Sequence, residues 1–104
     1  MDGNYETLNH WFLDDHRTVR FGVAEEQWGA EQVRRWREGS PTVPPGRTLD
    51  QTTISTYGPA TAVVTTLFRY PGRTCVGRQS QTWIHVDGGW RIVNAHVSER
   101  VADP

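Results

Sequence analysis

Residues 77–98 read GRQSQTWIHVDGGWRIVNAHVS, and the folding of this stretch decides the architecture of the chain. Two runs of alternating residues flank Asp87-Gly88-Gly89, the pattern of a β-hairpin. Along the first arm, Gln79, Gln81 and Trp83 share one face, while Arg78, Ser80 and Thr82 share the other. On the second arm, Val93, Ala95 and Val97 alternate with Asn94, His96 and Ser98. A half-buried strand turns its apolar face to the core, so Val93, Ala95 and Val97 are expected inward. The first arm is polar on both faces. Either both faces have partners, or the glutamines bond one another and nearby backbone, since buried amides need partners whatever their role.

Upstream of the hairpin the chain is also rich in strand. Thr61–Tyr70, TAVVTTLFRY, has the highest β-branched content, and Arg47–Tyr57 is rich in Thr and Ile. Pro71-Gly72 marks a turn into an arm that starts near Thr74 and runs to Val86, and the last arm is Trp90–Arg100. The first half reads differently. Tyr5, Leu8, Trp11 and Phe12 follow helical spacing, with Asn4 placed to cap. TVRFGV (18–23) predicts a strand ended by Gly22, and AEEQWG (24–29) a loop. Ala30, Val33 and Trp36 mark a second helix closed by Gly39. SPTVPPG (40–46) is a proline-rich connection too short to link two domains. Helices first and an antiparallel meander afterwards define an α+β fold in a single domain, residues 1–104, and not alternating βα units.

The bulk numbers narrow the function classes. A formal net charge of −1 gives no electrostatic case for nucleic acid or an anionic membrane. No apolar run approaches the ~18–20 residues of a membrane span. MDGNYETLNHWFLDD lacks the basic start and apolar centre of a signal peptide. The single cysteine, Cys75, cannot form an internal disulfide and suits a reducing cytoplasm. It reads as a strand residue beside a turn. His10, His16, His85 and His96 show no metal-ligand spacing, and no glycine-rich phosphate loop is present, so neither a metal nor a cofactor is expected.

The strings DDHRTVRFG, then WG and a helix, then RT…TTISTYG, GRQSQTW and GWRIVNAHVS resemble the AtzH-like family. This family lies within the SnoaL-like and nuclear transport factor 2-like superfamily, and the resemblance runs from about Asn4 to Glu99. It implies a cone-shaped fold, a curved antiparallel sheet wrapped around N-terminal helices and enclosing a pocket. It also implies a long helix ahead of Tyr5 that covers the mouth of the cone and carries a pocket tyrosine. This sequence begins after that place, and Tyr5 falls in the next helix. The domain is therefore expected to lack the usual first helix, with either an upstream start or a cone completed another way. An uncovered cone exposes apolar surface and favours association.

The resemblance turns the Gln79/Gln81/Trp83 face into the cone. It leaves Ser80, Thr82, Asn94 and His96 on the outer face, where superfamily members pair two subunits, and so implies a homodimer. His96 is then expected as a contact residue, the alternative being a general base, against which its outward direction argues. Arg20, set between Val19 and Phe21, is expected in the hollow, where a guanidinium keeps its proton and must find an anion. A bidentate carboxylate is its natural partner. The competing expectations are an edge arginine or an ion pair with Asp14 or Asp15. Arg37 adds a second positive charge at the mouth, or is a solvated cation favourable to the helix dipole. Trp28 is placed to cap the pocket or to join the core. The inward positions carry amides and an arginine where a proton-abstracting site would need a carboxylate, and Asp50 is the one strand carboxylate in range.

These features define a pocket for a small carboxylated ligand. Arg20 neutralises the carboxylate and is the candidate catalytic group; Gln79 and Gln81 read ureide N–H and C=O groups; Trp83 forms a flat wall. The family implies nitrogen catabolism, with C–N hydrolysis of a carboxylated urea or ureide such as oxalurate. A second reading is a non-enzymatic subunit that partners an amide hydrolase, and a third is a SnoaL-like isomerase or cyclase for a bulky ring substrate.

Overall fold

The computed structural model describes residues 10–39 and 46–102. The helix expected around Tyr5 and Leu8, with its Asn4 cap, and most of the proline-rich connection lie outside these residues. His10 and Trp11 are helical.

The hairpin of residues 77–98 is the centre of the sheet. Its arms, labelled β5 (Cys75–Val86) and β6 (Gly89–Val101), pair antiparallel with Val86 opposite Gly89. The connection is therefore the two residues Asp87 and Gly88, both at positive φ (47° and 77°). That geometry twists with the strands, and Asp-Gly tolerates it best. Upstream lie β3 (Thr48–Tyr57) and β4 (Thr61–Arg69), completing the antiparallel meander. Gly72, at φ 75°, turns the chain after Pro71.

Before the meander come β1 (Val19–Phe21), β2 (Glu26–Trp28) and the helix α1 (Ala30–Gly39). The curved six-stranded sheet has the order β2-β1-β6-β5-β4-β3. β1 runs parallel to β6, with Arg20 beside Ala95, so the sheet is mixed. β2 corrects an expectation: residues 26–28 of AEEQWG pair with β1 and are not loop. Three residues are too few to show a period in sequence, and the pairing depends on the turn at Gly22–Glu25, where the Gly22 N–H donates to the Glu25 carbonyl at 2.8 Å.

A second correction concerns Val93. Thr82 pairs with Asn94 but Trp83 pairs with Ile92, so Val93 is the extra residue of a β-bulge. The bulge puts Ile92, Ala95 and Val97 on the concave face, while Val93 lies with Leu13, Thr18 and Ile84.

Helix α1 buries Ala30, Val33 and Arg37, positions i, i+3 and i+7 of one face. The Gln32 side chain accepts the Trp28 N–H at 2.8 Å, satisfying a donor at the helix start. Among the described residues, Val33, Val76, Ile92, Ala95, Phe68 and Ala62 are the buried apolar members of the core beside Ala30. Thr18 is fully buried because its hydroxyl donates to the Leu13 carbonyl at 2.8 Å.

Candidate functional site: a cationic aromatic hollow

The concave face of the sheet and the helix enclose a hollow of about 380 Å³. Strand alternation on β5 delivers Gln79, Gln81 and Trp83 to it, and β6 delivers Ile92, Ala95 and Val97. Arg20 enters from β1, and Trp36 and Arg37 from the last turns of α1. Trp11 and Phe12 close one side, and Phe68, Tyr70 and Arg47 the other. The sequence-predicted residues Arg20, Arg37, Gln79, Gln81 and Trp83 are thus brought together.

Trp28 is not with them. It is 56 % exposed, and its indole N–H donates to the Glu26 carboxylate at 2.9 Å. Its ring packs edge-on against Phe21 on the outer face, 5.4 Å between centroids. The reason is alternation on β2: Gln27 is buried toward Arg20, which turns Glu26 and Trp28 the other way. Asp50 is exposed on β3 and does not line the hollow either.

Arg20 is held from three directions. Its Nη1 donates to Glu25 Oε1 at 2.9 Å and to Gln27 Oε1 at 3.0 Å. Its guanidinium carbon stands 4.0 Å from the Trp36 ring centroid, and the side chain is 12 % exposed. The ion pair is made with Glu25 and not with Asp14 or Asp15, which take Arg34 and Arg17 instead. Neither Glu25 nor Gln27 is legible as a partner from spacing, because the β1–β2 hairpin that folds them back is not.

Arg37 is the site's unusual group. Only 9 % of the residue is exposed, and its guanidinium lies over the Phe12 ring at 4.7 Å. Its Nη1 is buried and has no hydrogen-bond partner among the described residues. Burial, and then the like charge of Arg20, lower its pKa from the ordinary arginine value to about 10. The solvated helix-end cation is therefore not what forms: the helical period that buries Val33 also buries the residue four positions on.

The amides are ordered by the aromatic wall. Trp83 Nε1–H donates to Gln81 Oε1 at 3.0 Å. An indole N–H can only donate, so the carboxamide oxygen is used and the NH₂ of Gln81 remains to be donated. The Gln79 side chain makes no hydrogen bond to another described residue and keeps both functions. Trp11 meets Trp83 edge-on at 5.8 Å. The hollow can therefore present positive charge, two amides and flat aromatic surface to one small anion.

Fold and hollow together define a small-molecule-binding protein of the nuclear transport factor 2-like class. The AtzH-like family model matches residues 1–102, and the chain belongs to that family. A protein of unknown function from Pectobacterium atrosepticum is 42 % identical, with a TM-score of 0.90, over 94 % of this chain and 77 % of its own. A cystatin-like fold protein from Burkholderia xenovorans is also 42 % identical at TM-score 0.90, over 97 % of this chain and 79 % of its own. A nuclear transport factor 2-like protein from Pseudomonas putida, 18 % identical at TM-score 0.73 over 91 % of this chain and 72 % of its own, shares the fold. A search of curated proteins finds no match.

Proposed function

We propose that the hollow receives a small carboxylate of the ureide type and hydrolyses its C–N bond. The observation that carries this reading is the buried, unpartnered Nη1 of Arg37 beside Arg20. A buried cationic donor without a partner is costly, and an anion is what satisfies it. The ligand carboxylate lies between the two guanidinium groups, and the Gln81 NH₂ donates to a carbonyl oxygen. Gln79 reads an N–H, and the ring of Trp83 lies along the planar ureide. Water is the nucleophile, and Arg20 stabilises the negative charge that develops on the attacked carbonyl. Titration calorimetry with oxalurate tests binding, and ammonia or urea release tests turnover. Arg20→Ala and Arg37→Gln are each expected to abolish binding. Unchanged affinity in both variants would remove the carboxylate from this hollow.

We further propose that the outer face joins two copies of the chain. Ser80 stands opposite His96, and Thr82 opposite Asn94. Phe21 bridges His96 and the exposed Trp28 through ring contacts of 5.8 and 5.4 Å. A polar sheet face edged by exposed aromatic surface suits such pairing. Light scattering gives twice the 11.9 kDa chain mass if this holds, and the single mass if it does not.

A further inference from the structure

Arg20 and Arg37 line the same hollow but carry their charges differently. Arg20 is neutralised from within the chain by Glu25, whereas Arg37 has no carboxylate among the described residues. We propose that Glu25 is the charge-selecting residue of the hollow: held on Arg20, its carboxylate cancels one guanidinium and weights the site toward singly charged small acids over doubly charged ones. This rests on the reading that the hollow receives a small carboxylate.

The carboxylate of Glu25 has a built place. Both hydrogens of Arg20 Nη1 are used, one by Glu25 Oε1 at 2.9 Å and one by Gln27 Oε1 at 3.0 Å. The second oxygen of Glu25 accepts the Ala24 N–H at 3.2 Å. The side-chain space above Gly22 is filled by the same carboxylate: a Cβ at position 22 would fall on it. Glycine there is a matter of room, since Gly22 does not have the positive φ of Gly29 or Gly46. The β1–β2 turn thus folds Glu25 back to the strand that carries Arg20, and Gln27, buried on β2, fixes the guanidinium from the other side.

The charge balance follows. Among the described residues, two guanidinium groups and one carboxylate leave a single net positive charge at the enclosed part of the hollow. A ligand with one carboxylate matches it. A ligand with two brings its second charge toward Arg20 while Glu25 is already there, at 30 % side-chain exposure, where screening is incomplete. Like charge placed against the wrong ligand is a common source of specificity. Arg47 also borders the hollow, but it is exposed over Phe68 at the rim, where water screens it.

The test uses oxamate and oxalate, similar in size but carrying one and two negative charges at neutral pH. Both are titrated calorimetrically into wild type, Glu25→Gln, Gly22→Ala and Arg37→Gln, with circular dichroism confirming each fold. Glu25→Gln keeps the shape and removes the charge; Gly22→Ala keeps the charge and displaces it. The oxalate-to-oxamate affinity ratio is expected to rise about tenfold in Glu25→Gln, a change worth ~1.4 kcal/mol, and to rise in the same sense in Gly22→Ala. A rise in Glu25→Gln alone keeps the charge role and removes Gly22 from it. If oxamate binds wild type, is lost in Arg37→Gln, and the ratio stays flat in Glu25→Gln, the selecting role is wrong while the carboxylate hollow stands. If neither acid binds wild type or Glu25→Gln, or if binding survives Arg37→Gln unchanged, the hollow reading falls and the charge selection with it.

Discussion

Replacing Arg37 with methionine should make the protein more stable and end anion binding. Methionine keeps most of the length and volume of the arginine stem but carries no charge. The charge is what the fold tolerates poorly: burial and then Arg20 lower the Arg37 pKa from its ordinary value to about 10. At ~1.4 kcal/mol per pKa unit that is about 3 kcal/mol against the charged form. Residual solvent around the guanidinium reduces this, and the cation–π contact with Phe12, 4.7 Å away, returns about 0.5–1 kcal/mol. A net gain of ~1–2 kcal/mol remains, within the range seen when apolar groups replace buried charges. For a domain of this size it raises Tm by roughly 4–12 °C. The assay is urea unfolding followed by tryptophan fluorescence, reading a higher midpoint at unchanged slope. The sign with pH is fixed as well. A lowered cation pKa costs stability at every pH below its folded value, so the gain is level between about pH 6 and pH 9. It shrinks only as pH climbs through about 10 toward the ordinary arginine value, because the unfolded chain holds the proton longer. Destabilisation of the variant by more than about 1 kcal/mol would refute the reasoning, because it would mean that the guanidinium is paired and not strained.

Gly77→Ala should destabilise by ~1–3 kcal/mol, read as a lower urea midpoint, because a Cβ at position 77 falls inside the Phe68 ring that packs across from it. Trp28→Ala should leave oxamate affinity unchanged while weakening self-association in light scattering, since Trp28 lies on the outer face. Asp15→Asn should flatten the acid limb of a circular-dichroism pH titration. Side-chain and then backbone hydrogen bonds from Arg17 hold the Asp15 carboxyl well below the usual carboxylate range, so its contribution is present above an ordinary carboxylate pKa of ~3.9 and is lost only as pH falls below that.

Strand periods carried the architecture. Thr61–Tyr70 and the two arms of the last hairpin were legible because β-branched runs bounded by Asp87-Gly88 and Pro71-Gly72 leave little choice of element or turn. The same alternation placed Gln79, Gln81 and Trp83 on one face, and they line one hollow. What was not legible depends on pairing between distant segments. The bulge at Val93 follows from the offset between Thr82↔Asn94 and Trp83↔Ile92, which no local pattern encodes. β2 is a strand only because β1 pairs with it, and with β2 went the identities of Glu25 and Gln27 as partners of Arg20. Arg37 was visible as a charge near a helix end, but its burial required knowing that Phe12 and the sheet would close over that turn.

The two guanidinium groups reach the hollow on independent supports, and this decides which of them can move. Arg20 sits on a strand in parallel register with β6, opposite Ala95. A small, buried residue at 95 leaves its volume to the longer side chain, and the grip of Glu25, Gln27 and Trp36 then fixes the head group. Arg37 hangs from the end of a ten-residue helix anchored through Ala30 and Val33, with one aromatic ring as its support among the described residues. On the proposed function, a ligand carboxylate meets one rigid cation and one that still has hydrogen bonds to gain. Preorganisation sits with Arg20 and binding energy with Arg37. Glu25 belongs to the rigid half, so on the same proposal removing its charge should alter which acids are preferred, whereas removing Arg37 should alter whether any acid binds at all.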